Sequence, residues 1–384
     1  MDNIAGSKPT LTWAVHISVA ILVVLWMMPT VGLLISSFRT ADQISTSGWW
    51  KALFPQEQSI LVRTASSDDQ TQDGDLWVIE GNLFAQEGLE QGEISRWGVS
   101  SRDIAAYAAG ETADLEEVGR LMVAQSGDYR FENEAPFETA RGERIYITAV
   151  TPPEFTWDNY RTVLFSSNAR GGMGKAFFNT MTVTIPATVI PILIAAFAAY
   201  ALAWMDFPGR ALLIAFIVAL LVVPLQLALI PLLKLHLQIG IGKGYLGVWL
   251  AHTGFGLPLA IYLLRNYMVG LPKDIIENAR VDGATDFQIF TKIILPLSFP
   301  ALASFAIFQF LWTWNDLLVA MVFLIDSTGE TTVMTRQIVE LLGTRGGNWE
   351  ILATAAFVSI AVPLVVFFAM QKYLVRGLLA GSVK

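Results

Sequence analysis

The sequence predicts an all-α polytopic membrane protein of six transmembrane helices, with a small α+β insert between the first two. Three observations predict it. Hydrophobic residues make up 54% of the 384 and charged residues only 15%, against about 25% charged in a soluble domain; mean hydropathy is +0.51. The apolar residues fall in six blocks, each long enough for a bilayer, which takes about 20 residues to cross. Between the first two blocks the composition turns hydrophilic and acidic.

The blocks are Leu11–Ile35, Phe177–Trp204, Ala211–Leu233, Leu246–Tyr267, Leu297–Ile325 and Ile351–Leu374. The first has an apolar core too long for a signal peptide and no small-x-small cleavage pattern before Ser36-Ser37-Phe38-Arg39, so it is expected to stay as a signal anchor. The chain divides at this level into 1–39, the insert 40–155 and a core 156–384.

Within the insert, Ser59–Ser66, Leu76–Phe84 and Arg144–Val150 are expected as strands. Arg102–Ala108 and Leu115–Ala124 are expected as helices, and Pro152-Pro153 closes the unit. Residues 41–150 hold 20 acids and 8 bases, a net of −12, while the remainder carries +4. Such acidity argues against nucleic acid and anionic lipid as the insert's partner. Cysteine is absent, which excludes disulfides, thiolate metal sites and thiol catalysis.

Prolines stand inside the second (Pro186, Pro191), third (Pro224, Pro231) and sixth (Pro363) blocks. A bilayer tolerates them where neighbouring helices satisfy the freed carbonyls, whether they kink the helix or take part in gating. With the amino terminus inside, nine bases lie on the cytoplasmic side and four in the short outer loops. That bias puts both termini in the cytoplasm and the insert outside.

The segment from Leu271 to Pro296 can be read residue by residue. Pro272 suits the first position of a helix, and Asp274 favours its positive end. Glu277 and Arg280 stand at i, i+3, able to pair on one face. Gly283 can take the left-handed conformation that ends a helix. Thr285 with Gln288 is a capping-box pattern, and Ile289, Phe290, Ile293 and Ile294 give the next helix an apolar stripe. Pro296 marks the junction with the fifth block. On these grounds the segment is a helix, a tight turn and a helix at the cytoplasmic surface, which an ordinary interfacial loop would also satisfy.

Glu277, Ala279, Gly283, Ile293, Leu295 and Pro296 resemble the EAA loop of binding-protein-dependent ABC import permeases: Glu-Ala-Ala, three residues, Gly, nine residues, Ile-x-Leu-Pro. Asp282-Gly283-Ala284 resembles the sugar-importer branch. Asn278 departs from the family's alanine. Phe155–Tyr160, Phe178-Asn179-Thr180, Trp314-Asn315-Asp316 and the ending Gln371–Lys384 are also similar, the last to maltose-type permeases. The resemblance covers the six spans, not the insert, and points to the alpha-glucoside permeases.

The resemblance implies a type I ABC importer permease fold in a bacterial inner membrane. It implies an ATPase-coupling element at Glu277, Ala279, Arg280, Asp282, Gly283, Ala284 and Pro296, docking on a separate ATPase dimer that holds ATP and Mg. It also implies a second homologous permease and an extracytoplasmic sugar-binding protein. The tail from Arg376 to Lys384 is expected to reach the ATPase, and the insert to meet either the binding protein or the partner permease. The chain lacks a G-x-x-x-x-G-K-[ST] phosphate loop, so no catalytic residue and no bound cofactor are assigned to it.

Polar groups inside a span are costly, about 2.5–3.5 kcal/mol for an acid at the centre. In the fifth block Gln309, Trp312 and Asp316 have helical spacing and can share a face. Together with Asn315 they suit a sugar's C–H faces and hydroxyls, and are the candidate substrate pathway; Asp316 could instead pair with a loop base. His16 and His236 have no partner spacing for a metal. A sensory receptor would need a larger cytoplasmic module than any segment here supplies. A secondary transporter would couple through more intramembrane acids and show repeats.

Overall fold

The computed structural model describes residues 9–85, 92–115, 119–138, 141–165, 172–324, 328–344 and 347–379. Two compact units emerge: residues 1–159 with 348–354, and residues 160–347 with 355–384. The fold is mostly helical with a sheet insert near the amino terminus, as expected.

In the first unit, α1 (Pro9–Ser36) runs into the short α2 (Ala41–Thr46). Among the described residues nine strands follow: β1 Gln56–Arg63, β2 Thr71–Asp73, β3 Leu76–Asn82, β4 Glu93–Gly98, β5 Tyr107–Ala108, β6 Thr112–Leu115, β7 Gly119–Val123, β8 Asp128–Asn133 and β9 Arg144–Thr151. They form two antiparallel sheets, ordered β1-β9-β4-β5 and β2-β3-β8-β7-β6. Alternate residues of each turn inward, as a strand's period of two requires. Ile145, Ile147 and Ala149 of one sheet and Leu121, Val123 and Phe131 of the other join one core around Trp97.

Both segments expected to be helical in the insert are otherwise. Of the described residues in Leu115–Ala124, Leu115 ends β6 and Gly119–Val123 form β7, with Leu121 and Val123 buried and Arg120 and Met122 outward. Helix-forming residue types there are overridden by tertiary pairing. At Gly119 φ is +122° and an added Cβ would lie 2.2 Å from the Glu132 carbonyl oxygen, so the hairpin admits only glycine there. Arg102–Ala108 is turns leading into β5.

The insert leaves and rejoins the chain at one place. The Thr156 N–H donates to the Phe38 carbonyl at 2.7 Å. The Asn159 amide donates to the Ser37 and Arg39 carbonyls at 3.0 and 2.9 Å. Arg39 is buried and its guanidinium donates to the Gln43 and Ser47 carbonyls at the end of α2.

The second unit opens within α3 (Asp158–Phe165) and contains α4 (Gly172–Trp204), α5 (Arg210–Leu220), α6 (Leu225–Gln238), α7 (Tyr245–Val269), α8 (Lys273–Val281), α9 (Asp286–Ile289), α10 (Leu295–Leu297), α11 (Phe299–Trp314), α12 (Leu318–Phe323), α13 (Met334–Thr344) and most of α14 (Trp349–Leu379). Among the described residues α1, α4, α7 and α14 are long and apolar enough to cross a membrane, and six spans result if two bent pairs each count as one.

Those bent pairs are where the expected third and fifth spans lose their continuity. Between α5 and α6 the chain turns by 108° at Leu221–Pro224, because Pro224 lacks an N–H and forces its predecessor out of helical geometry. The segment ending at Leu297 and α11 meet at 69°. The expected fifth span also breaks after Trp314, with Asn315 at φ −89°, ψ 3° and a new helix from Leu318.

Candidate functional site

The turn at Gly283 is built as its residues predict. Gly283 has φ +79°. Its N–H donates to the Arg280 carbonyl and that of Ala284 to the Ala279 carbonyl, both at 3.0 Å. These two bonds are the Schellman termination of a helix. Two residues later the Thr285 hydroxyl accepts from the Gln288 N–H at 3.3 Å, while the Gln288 side chain accepts from the Thr285 N–H at 2.9 Å. This reciprocal cap fixes the first turn of α9. Pro272 stands one position earlier than expected, as the N-cap of α8.

Beyond α9 the ladder widens. Residues Phe290–Ile294 form a π-turn, and the Leu295 N–H reaches the Phe290 carbonyl five residues back. Pro296 follows at once, and a proline cannot supply the N–H that a regular ladder needs.

One face of this element is locked to the long helices. Ile276, Ile289, Phe290 and Ile294 are buried in a cluster with Ala195, Ala196, Ala199 and Tyr200 of α4 and Ala260, Leu264 and Met268 of α7. Ala279 and Ala284 pack against its edge. The Phe290 ring sits 4.6 Å from Phe197 and 5.3 Å from Tyr200, centroid to centroid. Polar contacts add direction. Asp286 Oδ1 accepts from the Tyr200 hydroxyl at 3.2 Å and from Arg280 Nη2 at 3.4 Å. The same Arg280 nitrogen donates to the Trp204 carbonyl at 3.3 Å. Arg280 therefore pairs with Asp286, across the turn, and not with Glu277 as the i, i+3 spacing suggested.

The opposite face is open. Glu277, Asn278, Val281, Asp282, Gly283 and Phe287 are exposed, Val281 at 86% and Phe287 at 65%. An added Cβ at Gly283 meets nothing within 4 Å. Asn278 faces outward while Ala279 packs inward, so the polar side chain at 278 displaces nothing in the fold. Val281 and Phe287 were missed from sequence; their signal was that they are apolar yet off the stripe.

The four polar positions of the fifth block do not share a face. Gln309 is 2% exposed and Trp312 47%. The helix ends before Asp316, so the spacing of three and four no longer applies. The Gln309 amide donates to the Ala187 carbonyl at 3.1 Å, the group that Pro191 leaves without its helical donor. Two tryptophans repeat the arrangement. Trp249 Nε1 donates to the Thr182 carbonyl freed by Pro186, and Trp314 Nε1 to the Ser359 carbonyl freed by Pro363, each at 2.9 Å. Neighbouring helices thus satisfy three proline-orphaned carbonyls, those of Ala187 and Ser359 through buried bonds. The Asp316 carboxylate accepts from the Val319 and Ala320 N–H groups at 3.3 and 3.1 Å, capping α12, and lies 3.7 Å from His252 Nε2 rather than against a loop base. Trp312 and Asn315, at i, i+3, are the exposed pair. The expected contact tail from Arg376 lies outside the residues whose side chains are described.

Residues 175–379 match the family described as binding-protein-dependent transport system inner membrane component. The chain is 60% identical, over 98% of both sequences, to the alpha-glucoside transport system permease protein AglG of Rhizobium meliloti. It is also 60% identical, over 60% of this chain and 76% of the other, to the osmoprotective compounds uptake permease protein GgtD of Synechocystis. Among solved structures, a chain of a bacterial ABC transporter involved in import of the polysaccharide alginate is 24% identical over 58% of this chain and 81% of that one, with a TM-score of 0.48.

Proposed function

Because the chain belongs to the family of binding-protein-dependent transport system inner membrane components and is an ABC-importer permease, we propose that it carries alpha-glucosides or maltose-like oligosaccharides across the bacterial inner membrane, driven by ATP hydrolysed on a separate subunit. The observation that carries this reading is the turn at Gly283: open outside, with Val281 and Phe287 exposed among polar residues, and packed on two long helices within. An element of that kind passes a push from a bound partner to the spans.

Val281, Asp282, Gly283, Phe287 and Glu277 meet the ATPase dimer, which binds ATP and Mg, while Ala279, Arg280, Ala284 and Pro296 hold the turn in shape. A second permease completes the path, and an extracytoplasmic binding protein delivers the sugar. Both termini and the Gly283 turn face the cytoplasm, and the insert faces outward. Trp312 and Asn315 form the substrate-contacting pair, an aromatic face beside an amide; Gln309 and Asp316 support them from within the bundle. The sugar assignment rests on similarity to AglG over almost the whole chain, insert included.

The likeness to GgtD favours a second reading, import of a different small solute. One experiment separates the two. In proteoliposomes holding the full transporter and its binding protein, ATP-dependent uptake of maltose, its beta-linked counterpart cellobiose and glycine betaine is compared. The proposal expects maltose to be preferred by on the order of tenfold or more, since a site built for hydroxyls rejects what leaves them unpaired. Uptake of glycine betaine without maltose would establish the second reading.

A further inference from the structure

The Gly283 turn touches the long helices in two different ways. Its apolar face, Ile276, Ile289, Phe290 and Ile294, packs on α4 and α7 without directional bonds. Packing of that kind resists separation, but it permits sliding and rotation more readily than hydrogen bonds do. Two of the turn's directional contacts meet at one oxygen. Asp286 Oδ1 receives the Tyr200 hydroxyl from α4 and Arg280 Nη2 from α8. Arg280 Nη2 also holds the Trp204 carbonyl, the last residue of α4, one of the end carbonyls that no intrahelical N–H satisfies. Asp286 itself opens α9 directly after the Thr285 cap. The three helices α4, α8 and α9 are therefore fastened at one carboxylate, a single turn from Gly283.

We propose that Asp286 is a positioning residue for energy coupling: it fixes the register of the Gly283 turn on the end of α4, so that displacement of the turn by the ATPase moves that span. This rests on the coupling role given to the turn above. Asp286 is needed for the stroke to reach α4, and the apolar face suffices to keep the turn folded. Losing the carboxylate leaves an assembled transporter that hydrolyses ATP and moves less sugar for it.

The test measures ATP hydrolysed per maltose imported, in proteoliposomes of the complete transporter with its binding protein. Asp286→Ala is expected to raise that ratio about tenfold, the loss of charge-assisted hydrogen bonds, with binding-protein-stimulated ATPase activity kept within about twofold. Tyr200→Phe removes one hydroxyl and is expected to raise the ratio by a smaller factor, about threefold. A wild-type ratio in both variants overturns the proposal, as does a fall of uptake and hydrolysis together at normal subunit assembly. If Asp286→Ala fails to assemble, Tyr200→Phe decides alone. Gly283→Pro in the same assay separates this inference from the reading beneath it. Lost uptake there beside a normal ratio in Asp286→Ala sinks the Asp286 role only, whereas wild-type uptake there sinks the coupling turn itself.

Discussion

At Gly283 the backbone sits at φ +79° with open space where a side chain would go. An L side chain there costs conformational strain and no crowding, about 1–2 kcal/mol. Gly283→Ala is therefore expected to insert and fold with a modest loss of thermal stability. Gly283→Pro removes the N–H that caps α8 and imposes φ near −65°, and is expected to abolish uptake at normal membrane insertion, measured as transport per inserted molecule. Asn278 gives the converse case. It is exposed, so Asn278→Ala is expected to leave stability in detergent unchanged within about 0.5 kcal/mol. Local chemistry was legible here: Gly283 and the Thr285–Gln288 cap depend on neighbours a few residues away. The partner of Arg280 was not, because Asp286 lies across the turn and its second donor, Tyr200, comes from another helix.

Among the helices, the apolar blocks were visible as runs, but their breaks were not. Pro224 turns the chain by 108° between α5 and α6, whereas Pro186, Pro191 and Pro363 lie inside continuous helices. These three carry a compensation that no run of residues displays: Trp249, Gln309 and Trp314 donate to the carbonyls the prolines free. This makes the Pro191–Gln309 pair testable. Gln309→Leu leaves the Ala187 carbonyl without a side-chain donor and is expected to cost about 1–3 kcal/mol of stability. Pro191→Ala restores a backbone donor to that carbonyl, so the cost of Gln309→Leu is expected to fall well below that in the double variant. Additive losses in thermal unfolding would show instead that Gln309 acts elsewhere. In the insert, Leu115–Ala124 carries helix-forming residue types around Gly119. The alternation of Leu121 and Val123 that marks β7 is too short to outweigh them without its partners β6 and β8.

For the molecule as a whole, orientation decides which partners each part can meet. A chain without cysteine allows single thiols to be placed at will. Asp75→Cys in the insert is expected to react with a membrane-impermeant maleimide in intact spheroplasts. Lys273→Cys at the start of α8 is expected to react only after permeabilisation; the reverse pattern would invert the topology. Contact between the Gly283 turn and the ATPase is tested most directly at Val281, exposed at 86%. A short photo-crosslinker at Val281 in the actively transporting complex should yield one dominant adduct, with the ATPase subunit, changing in yield between nucleotide-free and ATP-bound states. An active complex in which Val281 crosslinks only to lipid, or to the partner permease, would contradict the account.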